Sequence, residues 1–391
     1  MLEEYLLDIG YSENDIKKIN KFFPKKLYSE ATILYNFRNL ERFFRRNHIN
    51  QKEFIFITLT VPNILNLGIE NINSKIKSLS SLGFNKIDFF SILKEYPYFI
   101  EFNFDNIQSK IEIFSSYSFT NDDAVTIFVR IPNLLKLDNK LLKKRLKLFE
   151  KIGFDKNEIR HMIMIEPSLL LEDESLFYEQ IHQLKNMGFM DDDIIKISFY
   201  VPGLLTHFFD TIQNKFQKLI HFGFNEIDIV QMIKKTPYIL EEQILYSIDD
   251  KLSNLKQLGF KNDDIIFMCS KNPYILLYSE DRIIIRFHEL LDLGFEKEDV
   301  KHILNTCPII FGYRFLTIKN KISFYQEIDL FSLIREHPNI LIYNLNYIKN
   351  RYFYLNDIDK ISIHNYHLLF LSDSEFYKKY NISDIDLIRG D

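Results

Sequence analysis

The 391-residue chain has no tryptophan, two cysteines and only ten prolines. The cysteines, Cys269 and Cys307, make neither a CxxC pair nor a metal-ligand spacing. That removes a disulfide framework and a cysteine-based metal site, and leaves two small core residues. Long apolar runs are missing as well. None approaches the ~20 residues that a membrane-spanning helix needs. The first residues, MLEEYLLDIG, are acidic. They have neither the character of a signal peptide nor that of an Arg-rich transit peptide. The expectation is a cytoplasmic protein, organellar only if an import sequence has been removed. Enzyme signatures are lacking too: there is no Gly-rich phosphate loop, no HExxH and no nucleophile elbow. The ten histidines are scattered. The chain is therefore not expected to be an enzyme, and no cofactor or metal is implied.

What is present is a repeat, and the prolines mark it. They stand at Pro24, Pro62, Pro97, Pro132, Pro167, Pro202, Pro237, Pro273, Pro308 and Pro338. Seven of the nine spacings are 35 or 36 residues, and the first and last are 38 and 30. Similar phrases carry them: VPNIL, IPNLL, EPSLL, VPGLL, TPYIL, NPYIL, HPNIL. A fixed period of this length signals a solenoid, in which each repeat is one supersecondary unit and length grows by stacking.

Fourteen residues before most prolines stands Gly-Phe, as at Gly83, Gly153, Gly188, Gly223, Gly259 and Gly294 (Gly10-Tyr11 is a variant). Ser118 and His48 hold the slot without glycine. Glycine past a helix end is the usual left-handed cap. Before it, apolar residues recur in helical phase, as in Leu142, Leu146, Phe149 and Ile152, and predict a first helix. After it, an acid stands five residues on in every repeat, from Asp15 and Glu53 to Asp264 and Asp299. Ser12, Asn85, Thr120, Asp155 and Asn225 precede such acids by three and predict capping boxes that open a second helix. The proline ends that helix and opens a short third turn, since its missing N–H is harmless at the start of a new turn.

A unit of helix, Gly-Phe turn, helix, proline and short turn resembles the mitochondrial transcription termination factor (mTERF) family. The resemblance is carried by IQNKFQKLIHFGFNEIDIVQMIKKTPYIL (212–240) and IDDKLSNLKQLGFKNDDIIFMCSKNPYIL (248–276), and it extends over nearly the whole chain. It implies an all-α, curved helical-repeat solenoid of two α-helices plus a short 3₁₀ turn per repeat. About nine repeats would fill residues 1–355, the first truncated, with a capping segment over 356–391. It also implies a protein that binds DNA or RNA and regulates transcription or RNA metabolism, with transcription termination as the namesake role.

Net charge is −5, which does not announce a nucleic-acid binder. Cations nevertheless recur in phase. Eight residues before the glycine slot stand Lys75, Lys110, Arg145, Gln180, Lys215, Lys251 and Arg286, and the same register adds Lys321 and Arg351. Lys143, Lys144 and Lys147 cluster beside Arg145. Two roles are open for this ladder. It would line a groove and contact the backbone of double-stranded DNA or structured RNA. Alternatively, position −8 lies on the shoulder of the apolar stripe, so its head would serve carbonyls of the preceding proline turn or the repeated acids of a neighbour. A protein–protein scaffold using the same groove is the alternative function. Tyr98, Tyr238 and Tyr274, each following a proline, would stack bases or pack between repeats. A monomer is expected.

Overall fold

The computed structural model describes residues 2–24, 28–206, 209–358 and 365–380. Among them are 22 α-helices and nine 3₁₀ helices, and no strand. The fold is an all-α helical-repeat solenoid. By compactness the chain divides into two units, 1–183 with 194–207, and 184–193 with 208–391. The division falls beside Gln180, the one ladder position without a cation.

A representative repeat runs Asn139–Ile152, Lys156–Ile165 and Pro167–Leu170. Gly153 caps the first helix at φ 122°. Asp155 and Glu158 then form the predicted capping box. Within each unit, first helices pack on first helices and second on second, as Glu30–Arg45 does on Ile64–Ser80 and Glu226–Lys235 on Asn262–Lys271. The apolar stripes fill the space between them. Leu142, Leu146 and Phe149 are each at most 2% exposed. Fully burying one such side chain is worth about 1.5–3 kcal/mol, and the repeat supplies it in every layer.

The prolines are the corners the sequence predicts. Eight of them, from Pro97 to Pro338, open a 3₁₀ turn at its first position. Pro62 differs: its turn runs into the helix Ile64–Ser80, broken at Gly68 with φ 71°. The residues just after Pro24 lie outside the described ones. From Leu2–Asp8 with Glu13–Phe22 to Phe315–Glu327 with Ser332–Glu336, ten helix pairs lie among the described residues, and the pairs at the two ends are short. Leu2–Asp8 is a seven-residue first helix and Ser332–Glu336 a five-residue second helix. The latter accounts for the 30-residue spacing before Pro338. Of the capping segment, Tyr366–Phe370 and Asp373–Tyr380 are helical, and 359–364 and 381–391 lie outside the described residues.

The repeated acid has two jobs. It accepts the backbone N–H of the residue that opens its helix, as Asp88 does from Asn85 at 2.7 Å. It does so even where that residue is no capping type, as Asp193 does from Met190 at 3.0 Å. It also reaches the second helix of the next repeat. Glu53 pairs with Lys94 at 3.4 Å, Asp123 with Arg160 at 2.7 Å, Asp193 with Lys234 at 3.0 Å and Asp299 with Arg335 at 3.1 Å.

Candidate nucleic-acid interface

The phased cations are buried. Lys110, Arg145, Lys215, Lys251, Arg286, Lys321 and Arg351 are all at most 8% exposed, and Lys75 is half-buried. A buried ammonium or guanidinium is costly unless it is hydrogen-bonded, so the heads must have partners. They find them in the following repeat, and Lys110 and Arg286 also on their own helix. Lys251 Nζ donates to the Leu276 carbonyl and Lys321 Nζ to the Leu341 carbonyl, both at 2.6 Å. Arg286 donates to the Tyr313 carbonyl and pairs with Glu289 at 2.8 Å. Lys110 donates to Asn106 and Asn139 at 2.7 and 2.9 Å. Arg145 pairs with Asp173 at 2.9 Å and Lys215 with Asp249 at 2.8 Å. Arg351 reaches the Leu369 and Leu371 carbonyls and Asp373.

The acceptors correct the sequence expectation in one respect. The heads serve the next proline turn, or the helix it leads into, and not the preceding one. The preceding turn is already served from the repeat before: Tyr313 by Arg286 and Leu341 by Lys321. The neighbour's repeated acid is not the partner either, being taken by the next second helix. Burial pushes the ammonium groups of Lys110, Lys251 and Lys321 below the usual lysine range, with Asp138, Glu280 and Cys307 opposing it respectively. Burial likewise lowers Arg286 and Arg351. Their positive charge is directed into the fold. The thiols are equally internal: burial pushes Cys269 up to about 12 and Cys307 up to about 11.

The clustered lysines lie elsewhere. Lys143, Lys144 and Lys147 are exposed on Asn139–Ile152, and Lys144 is held by Glu174 at 2.6 Å. Lys140 and Lys151 are exposed on the same helix, one turn before Lys144 and one turn after Lys147. Residues three and four apart are neighbours on a helix surface, so Lys140, Lys143 or Lys144, Lys147 and Lys151 form one stripe three turns long. Sequence reasoning overlooked Lys140 and Lys151, although the same periodicity that found the apolar stripe marks them. Tyr98, Tyr238 and Tyr274 are 46, 41 and 44% exposed, so each is partly covered and partly open to solvent.

No single helix among the described residues is long and apolar enough to cross a membrane. The mTERF family model matches residues 3–116, 102–221 and 209–377, which together span nearly the whole chain. No curated protein matches it. Members of that family are generally nucleic-acid-binding regulators of transcription or RNA metabolism. With eight proline corners among the described residues, left-handed caps at the Gly-Phe slot and three overlapping family matches that span nearly the whole chain, the chain belongs to the mTERF family.

Proposed function

We propose that this protein binds DNA or structured RNA through its backbone and shape, and regulates transcription or RNA metabolism without catalysing a reaction. The observation that carries the reading is the lysine stripe on Asn139–Ile152. Lys143 and Lys147 are exposed, with no ion pair among the described residues. Exposed ammonium groups one turn apart suit the contacts that a phosphate backbone requires. The buried ladder then acts indirectly, by setting the spacing of repeats that carry the exposed cations. The overall charge of −5 fits a local contact better than a molecule-wide basic surface.

The test is fluorescence anisotropy with labelled duplex DNA, single-stranded RNA and structured RNA over a salt series. Binding should weaken along a straight log–log line. Lys143→Gln, Lys147→Gln and Lys151→Gln together should lower its slope by about 2–3, the contribution of three phosphate contacts. Unchanged binding by this variant would remove the stripe from the interface.

A second reading is a protein scaffold, and one observation favours it. First helices of the second unit expose large apolar side chains: Tyr246 at 59%, Ile285 at 54% and Leu316 at 65%. One partner protein recovered stoichiometrically after nuclease treatment, with no nucleic acid bound at low salt, would decide for it.

A further inference from the structure

We infer a second, separate phosphate-binding site in the cleft between the turn after Glu30–Arg45 and the helix Lys86–Glu95. The inference rests on the nucleic-acid reading above, and its favoured ligand is one phosphate group of the bound strand. The cleft has a volume of about 210 Å³. Arg46, His48, Lys86 and Lys94 line it together with Ser91 and Phe90, and no acidic residue lines it.

The cations are not explained by local structure alone. Arginines at a helix C-terminus are favoured by the helix dipole, which accounts for Arg42, Arg45 and Arg46. Lys86 is the reverse case. It is the first residue of its own helix, where a positive charge is disfavoured, as are Lys156 and Lys297 of theirs; Lys156 gives its ammonium to the Ser116 carbonyl at 2.8 Å, whereas that of Lys86 has no hydrogen bond among the described residues. Its ammonium stands 5.7 Å from the Phe43 ring centroid, and the side chain is exposed. Of the cations lining the cleft Lys94 alone is ion-paired among the described residues, with Glu53 at 3.4 Å.

His48 is the second anomaly. It occupies the left-handed capping slot at φ 61°, a slot filled by glycine in seven other repeats. A side chain there costs more than glycine does. Among the described residues nothing hydrogen-bonds the His48 ring, which lines the cleft beside Arg46. Ser118 and Asp329 keep the same strained conformation without glycine, and His48 is the one of the three that lines this cleft of cations, which points to a local use of its side chain.

Size and chemistry select the ligand. Small-molecule pockets span roughly 300–1,000 Å³, so this cleft is too small for a whole nucleotide and suits one phosphate group. A guanidinium fork, an ammonium and a hydroxyl are the donors such a group takes up. The cleft is partly open to solvent, which leaves room for a strand to continue past it.

The experiment is the same salt series on the full chain with Arg46→Gln/Lys86→Gln, and separately with His48→Gly, which relieves backbone strain and so does not threaten folding. The double variant should lower the log–log slope by about 1–2 and weaken binding about tenfold at low salt. His48→Gly should weaken binding while raising the melting temperature. The losses should add to those of the Lys143, Lys147 and Lys151 variant. A double variant with native helicity and an unchanged slope would overturn the cleft and leave the lysine stripe standing. If the wild type binds no nucleic acid, the reading above fails, and inorganic phosphate becomes the probe. Phosphate that raises the wild-type melting temperature, but not that of Arg46→Gln/Lys86→Gln, would keep the site and assign it a free anion. No difference between the two would overturn it.

Discussion

Arg351 Nη2 and Asp373 Oδ1 lie 2.8 Å apart, and the two partners are unequal: the arginine side chain is 1% exposed and the aspartate 59%. Arg351 also stands over the Tyr347 and Phe376 rings, 4.0 and 4.4 Å from their centroids, and donates to the Leu369 and Leu371 carbonyls. It joins the last long helix to the C-terminal segment. Arg351→Ala leaves buried carbonyls without a donor and a cavity between two rings, and should cost about 2–4 kcal/mol. Asp373→Ala removes only an exposed partner and should cost about 1 kcal/mol or less. Thermal melts of the two variants check the asymmetry. Equal losses would mean that the ion pair, and not the carbonyl bonds, holds the segment.

The same geometry decides what reversing the ladder does. Lys251→Glu places a carboxylate against the Leu276 carbonyl, which the lysine reaches at 2.6 Å. No donor is left there, and burying an uncompensated charge costs about 3–5 kcal/mol. Reversal of Lys110, Arg145, Lys215 and Arg286 together should therefore abolish the helical circular dichroism, and with it any binding. The Lys143, Lys147 and Lys151 variant should keep full helicity. A folded ladder variant that has lost only nucleic-acid binding would return those heads to the interface.

The period was legible in the sequence because each corner needs a residue with special backbone chemistry. Proline opens the 3₁₀ turn, and a left-handed cap closes the first helix. Such requirements leave a mark in every repeat, including His48 and Ser118, which take positive φ without being glycine. Asp329 does the same at φ 57°, and its slot was hidden because the following helix is half-length and shifts the next proline. The ladder was legible as a pattern but not as a role. A cation on the shoulder of an apolar stripe reads alike whether its head meets solvent or a carbonyl of the next repeat. What decides is the offset between repeats, a tertiary quantity. The cleft at Arg46 and Lys86 was hidden for the same reason. Its cations come from two repeats and share no register.

The inter-repeat acid pairs set a pH response. Arg160 binds Asp123 through Nε at 2.7 Å and Nη2 at 3.1 Å. The arginine, and after it the Thr120 cap, hold the Asp123 carboxyl below the usual carboxylate range against the opposing effect of burial. A carboxyl lowered in the folded state stabilises the protein above its unfolded value, and that contribution is lost as pH falls through the folded one. The stability difference between wild type and Asp123→Asn should then be constant near neutrality and shrink below about pH 4. Urea titrations of both proteins at pH 7 and pH 3 measure it. A difference that grows on acidification would contradict the assignment.

Gly153 and Ser118 occupy the same slot and should respond in opposite directions. At Gly153, with φ 122°, an added Cβ would stand 2.8 Å from Ile195 Cδ1 in the next second helix. Gly153→Ala therefore meets both backbone strain and a steric contact, and should cost about 1–3 kcal/mol. Ser118 already bears that strain at φ 64°, one residue after Tyr117, whose hydroxyl donates to Glu150 at 3.0 Å. Ser118→Gly removes the left-handed penalty of about 1–2 kcal/mol. It also adds about 0.5–1 kcal/mol of chain entropy to the unfolded state. The net gain should be up to about 1 kcal/mol, read as a raised melting temperature. Because the two substitutions exchange glycine and a side chain in opposite senses at one structural position, matching signs would show that the capping slot does not control stability.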